Sequence, residues 1–112
     1  MTAIGMFCRI FVGYPKNHPE VFKAAKLIYK AGPKVTNQYY TYYTTYCMFQ
    51  MGGLEWKKWN ENFRDPLIAL QEKSGRNRGS WAGWDHSAGR VYSTALNIMS
   101  LEVYQRYLPS YW

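Results

Sequence analysis

Two aspartates, two histidines and two cysteines are the side chains here best suited to proton transfer, metal ligation or nucleophilic attack. Their spacing works against all three. Asp65 and Asp85 stand twenty residues apart and form no acidic cluster. Cys8 and Cys47 make no Cys-x-x-Cys pair, and both lie in apolar surroundings, so they read as buried free thiols. His18 precedes Pro19 and reads as a capping or exposed residue. His86 follows Asp85 in a glycine-flanked loop, and the two together supply too few ligands for a metal ion. The residues therefore predict no catalytic group, no metal and no cofactor.

The elements that would position these groups are helices. Residues 2–12 form an apolar segment with little room for an N-cap, closed by Gly13-Tyr14-Pro15. Either its first amides are solvated or the chain is a piece of a longer protein. Asn17 or His18 caps a second helix over 19–31, with Pro19 at its start and Glu20 where the helix dipole favours an acid. Its stripe is Val21, Ala25 and Ile28 with Phe22 and Tyr29 beside them, and Gly32-Pro33 ends it. Thr36 or Asn37 opens a third, NQYYTYYTTYCMFQM, whose tyrosines and threonines also suit a strand. Its length and the closing Gly52-Gly53 decide for helix, one rich in aromatics nearly all round. The fourth presents Trp56, Trp59, Phe63, Leu67 and Leu70 at helical spacing, and Pro66 predicts a kink or break within it. Residues 74–88 are a long loop. The last helix begins between 87 and 92, carries Tyr92, Leu96, Met99 and Val103 on one face, and runs to about Tyr107. Glu102 and Arg106 are spaced to pair along it.

The whole reads as one all-α domain over residues 1–112, with about five helices in antiparallel hairpins. A net charge of +7 raises the question of nucleic acid. Residues 1–36 hold six basic side chains against one acid, yet Lys23, Lys26 and Lys30 recur as the solvated stripe of an amphipathic helix. That distribution argues against a nucleic-acid track, and a small basic nucleic-acid binder stays as a rival reading. No basic-then-apolar leader opens the sequence, and no apolar run is long enough to span a bilayer.

Gln71 is followed, over 79–109, by GSWAGWDHSAGRVYSTALNIMSLEVYQRYLP. A glutamine, a Gly-Ser-Trp loop, an Ala-Gly-Arg-Val-Tyr-Ser-Thr-Ala-Leu helix start and a long apolar helix together resemble the repeat of the squalene cyclase and protein prenyltransferase β-subunit superfamily. More narrowly, the chain is similar to bacterial prenyltransferase and squalene oxidase repeat proteins. The likeness covers nearly the whole chain and is most specific from Tyr39 onward. It implies a partial α/α toroid of alternating inner and outer helices. In that family the Gln…Gly-x-Trp elements tie outer helices together, the glutamine capping a neighbouring helix beneath the indole. Gln71, Gly79 and Trp81 match, although residues 72–78 make a longer insert than the tight motif has. The inner-helix N-terminal ends line the family's cavity, which points to Tyr39, Tyr40, Tyr43, Arg90 and Tyr92 as candidate walls for an isoprenoid-like ligand.

The family's chemistry does not carry over. A cyclase aspartate cluster is missing, and so is the prenyltransferase zinc set of aspartate, nearby cysteine and distant histidine. The expectation is a toroid-repeat module with a structural or interaction role, partnered by the rest of a parent toroid or by a second copy. Its helix faces bearing Phe7, Phe11, Tyr92 and Met99 would be left open by so short an array. The rival from the enzyme class is a fragment of a terpenoid cyclase or prenyltransferase whose catalytic groups lie upstream.

Overall fold

The computed structural model describes residues 2–83 and 89–103, and every regular element among them is helical. The order is α1 (Thr2–Phe11), α2 (Pro19–Ala31), α3 (Gln38–Met51), α4 (Gly53–Ala69) and α5 (Gly89–Leu101). Among the described residues the expected all-α class is what the chain adopts, with five helices. The Tyr107 end of the last helix and the Glu102–Arg106 pair lie outside, or reach outside, the described residues.

Local chemistry sets the boundaries. At the end of α1, Tyr14 N–H donates to the Arg9 carbonyl and Gly13 N–H to Ile10. This is a Schellman closure, with Gly13 at φ 99° supplying the left-handed residue. The Nδ1 atom of His18 accepts from Glu20 N–H at 3.2 Å and caps α2, with Pro19 in the first turn. The Asn37 side chain accepts from Tyr40 N–H at 3.0 Å and caps α3. Gly52 ends α3 by donating to Met48 and also starts α4. Contacts on either side of it then mirror one another: Trp59 meets Thr45 and Trp56 meets Phe49. That symmetry defines an antiparallel hairpin. Helix α1 packs on α2, and α2 on α3, across short connections that likewise favour antiparallel neighbours.

Helix α3 occupies the middle and packs against each of the other four. Ten of its fourteen residues are buried, including Thr41, Thr44, Thr45, Gln38 and Gln50. The threonines survive there because they find hydrogen-bond partners, whereas Gln38 Nε2 is buried without one. The Thr41 hydroxyl donates to the Lys34 carbonyl at 2.7 Å, and Thr44 donates to Tyr40 at 2.6 Å. Thr45 accepts the Trp59 indole N–H at 3.0 Å. The apolar core lies on either side, from Met6, Val21 and Ile28 through Cys47 and Met48 to Trp59, Phe63 and Leu67.

Three expectations are corrected or narrowed, and α5 adds a further finding. Of the kink or break expected at Pro66, the break does not occur: helix α4 runs through it to Ala69. The carbonyl of Asn62, deprived of its i+4 donor, belongs to an exposed turn where water can replace it. Cys8 is exposed, and only Cys47 is buried. In α2 the stripe is Val21, Ala24, Ala25 and Ile28, while Phe22 and Tyr29 stand partly in solvent. Finally, α5 turns Ser93, Asn97 and Ser100 inward, with Tyr92, Leu96 and Met99 half-buried beside them. Small polar residues at spacings of four and three let α5 approach α3, at the cost of burying hydroxyl and amide groups.

Candidate functional site

The five candidate wall residues divide among three places. Tyr39 and Tyr43 share a face of α3 and meet edge to face at 4.9 Å. Tyr43 continues into an aromatic cluster with Phe7 at 5.0 Å and Tyr42 at 5.0 Å, and Phe7 reaches Phe11 and Tyr46. Such tilted contacts are the geometry aromatic rings prefer in packed interiors. Tyr40 points elsewhere. Its hydroxyl donates to the Gly32 carbonyl at 2.8 Å, and Lys34 sits over its ring at 4.9 Å. Burial raises its phenol pKa above the ordinary value. It lines a cavity of about 180 Å³ with Ala3 and Ile28. Arg90 lies on α5, where it donates to the Ser80 hydroxyl at 2.9 Å and stands 3.8 Å from Glu72. Tyr92 is half-buried on the same helix.

Gln71, Gly79 and Trp81 do come together, as a latch between α4 and α5. The backbone pairs Glu72 N–H with the Ser80 carbonyl and Gly79 N–H with Glu72, both at 2.8 Å, closing the base of the loop. Gln71 Nε2 donates to the Gly79 carbonyl at 2.8 Å, so the glutamine ties its own loop. Trp81 reaches both helices. Its indole N–H donates to the Leu67 carbonyl at the end of α4 at 2.8 Å, and its backbone N–H donates to Thr94 Oγ1 on α5 at 3.1 Å. Lys73 Nζ donates to the Ile68 carbonyl beside it, a cation placed where the helix dipole favours one. Gly83 and Gly89 approach so closely that a Cβ at 83 would lie 2.9 Å from the Gly89 carbonyl carbon.

The titratable groups are occupied or isolated. His18 Nδ1 is engaged in capping, and the ring packs on Tyr14 at 4.6 Å. Cys47 is held in its neutral thiol form by burial, with the Cys8 sulfur adding to the effect, and it lies 3.5 Å from the Ala3 carbonyl. A thiol so placed is a poor nucleophile. Asp65 pairs with its neighbour Arg64 at the surface. Asp85 and His86 lie outside the described residues. Among the described residues no three His, Cys, Asp or Glu side chains gather as a metal site, and no helix is long and apolar enough to cross a membrane.

Two concavities were not apparent from the helical pattern. One, about 440 Å³, lies over α2 and α3 between Phe22, Tyr29, Met48 and Met51, with Lys26 and Glu55 at its edge. Phe22 and Tyr29, seven residues apart, were its signal in the sequence. The other, about 510 Å³, lies between α5 and the 72–80 loop and involves Arg76, Arg78 and Arg90 with Val91, Ala95 and Ile98. No family model, curated protein or solved structure matches the chain.

Proposed function

We propose that this chain is a helical-repeat module of the squalene cyclase and prenyltransferase type without catalytic residues of its own, serving to pack against further repeats or another copy. One observation carries the reading: apolar exposure is concentrated on the outer elements while the central helix is enclosed. Phe11 is 59% exposed and Leu27 60% on the first hairpin, and Val91 is 83% exposed on α5. In a repeat array each unit buries its apolar sides against its neighbours, so open flanks around a closed middle are the pattern that such a unit presents. The Trp81 latch supports a repeat architecture in a second way, since it fastens successive helices, α4 and α5, to one another.

Sedimentation equilibrium over a wide concentration range tests this. The expected result is reversible self-association that Phe11→Ser with Leu27→Ser weakens. A chain that stays strictly monomeric and melts in one sharp transition would refute it.

A further inference from the structure

We infer that the groove between α5 and the 72–80 loop is a docking site for an acidic amphipathic helix of a protein partner, a step that rests on the chain being an interaction module. Helix α5 has two opposed faces. Ser93, Asn97 and Ser100 are buried within the protein. Val91, Ala95 and Ile98, each two residues before one of these and so about 200° round the helix, form an outward stripe. Val91 is 83% exposed, Ile98 46%, and Ala95 is exposed as well. A stripe at spacings of four and three is what another helix covers when it lies in a groove.

The wall opposite supplies charge. Arg76 and Arg78 project from a loop whose shape is fixed by hydrogen bonds. Arg78 N–H donates to Gly75, both the N–H and the hydroxyl of Ser80 donate to Asn77, and Glu72 pairs with Ser80 and Gly79 at the loop's base. The backbone that carries the two arginines is therefore held in place beside α5. Arg90, the third, is already engaged by Ser80 and Glu72. Among the described residues Arg76 and Arg78 have no acidic partner, and no carboxylate lines the groove with them. An apolar floor with a cationic wall complements a helix bearing aliphatic side chains along one face and carboxylates along its edge. Guanidiniums suit carboxylate oxygens in particular. A nucleic-acid strand fits less well, because Val91, Ala95 and Ile98 offer no stacking ring and the lysine stripe lies on α2.

The probe is a fluorescein-labelled synthetic helix with leucines at i, i+3, i+4 and i+7 and glutamates along one edge, titrated with the full chain and followed by anisotropy. Saturable binding is expected. Arg76→Glu with Arg78→Glu should weaken it about tenfold or more, and Val91→Asp with Ile98→Asp should do likewise. Lys23→Glu with Lys30→Glu, on α2, should leave it close to wild type. Each variant changes exposed residues, and circular dichroism verifies that it folds. Failure to bind the acidic peptide, or equal binding of a peptide with lysines replacing the glutamates, would overturn the proposal. So would a single-stranded oligonucleotide that binds in the peptide's place and is lost with the arginine variants. Self-association abolished by Val91→Asp with Ile98→Asp and indifferent to the peptide would assign the groove to a second copy instead. Because the repeat-module reading is tested by sedimentation without peptide, the two can fail separately.

Discussion

Replacing Trp81 with phenylalanine isolates the indole N–H as the fastening between α4 and α5. Trp81 is 2% exposed, and its Nε1 donates to the Leu67 carbonyl at 2.8 Å. That carbonyl retains a second donor, Leu70 N–H at 3.2 Å, so it is not orphaned outright. The lost hydrogen bond should cost about 1 kcal/mol rather than the upper end of the range for a buried acceptor. The missing ring atoms leave a partial void among Trp81's buried neighbours and add roughly 1 kcal/mol more. A total near 2 kcal/mol corresponds to a drop in Tm of about 8 °C for a domain of this size. Far-UV circular dichroism during urea and thermal melts measures both. Thr94→Val, which removes the acceptor for Trp81 N–H at 3.1 Å, should cost about 1 kcal/mol and be less than additive with Trp81→Phe, since both act on one residue. If Trp81→Phe melts within about 0.5 kcal/mol of wild type, a change ordinary for surface substitutions, the latch is not a stabilising contact and the reasoning fails.

Other substitutions probe the interior and the α4 proline. Burial raises the folded-state pKa of Cys47, so its contribution is complete below the unfolded thiol value of about 8.5 and is lost as pH rises above it, by up to about 1.4 kcal/mol per unit. Urea melts between pH 7 and pH 10 should therefore show a shallower loss for Cys47→Ala than for wild type, and equal slopes would contradict the assignment. Pro66→Ala restores a donor inside α4 and is expected to raise the urea midpoint by an amount worth about 1 kcal/mol; a lower midpoint would mean that the ring itself packs usefully. The Ser93 hydroxyl is buried without a partner, so Ser93→Ala should be neutral or stabilising in a thermal melt. Thr45→Val, which strands the Trp59 indole N–H, should cost about 1–3 kcal/mol by the same measurement.

The punctuation of the fold was legible because it rests on local chemistry. His18, Asn37, Gly13 and Gly52 stop or start helices through bonds within a few residues of themselves, and such bonds are set by residue type. Helix α3 could be read as a helix enclosed on all sides because its aromatics left no polar face. Pro66 does not end α4 because its cost depends on whether the orphaned carbonyl can reach water. Cys8 misled because an apolar neighbourhood in sequence need not be one in space: it shares α1 with Met6 and Ile10 but faces away from them.

The inward face of α5 was hidden for a different reason. A search for apolar periodicity selects Tyr92, Leu96, Met99 and Val103, and three of these are only half-buried. The buried stripe consists of Ser93, Asn97 and Ser100, whose value lies in small size and close approach to α3 rather than in hydrophobicity. Packing of this kind is weakly held. Both amide atoms of Asn97 and the Ser93 hydroxyl lack partners at positions 1% and 0% exposed, so the seam gives up hydrogen bonds that water would have supplied. What secures α5 must then come partly from its N-terminal half, through Trp81 to Thr94 and Arg90 to Ser80. The same loop that fastens α5 carries Arg76 and Arg78 over its outer face. Occupation of that groove would therefore reinforce a helix whose inner face leaves buried polar groups unpaired, and the acidic peptide should raise the Tm of the wild-type chain while leaving that of Arg76→Glu with Arg78→Glu unchanged.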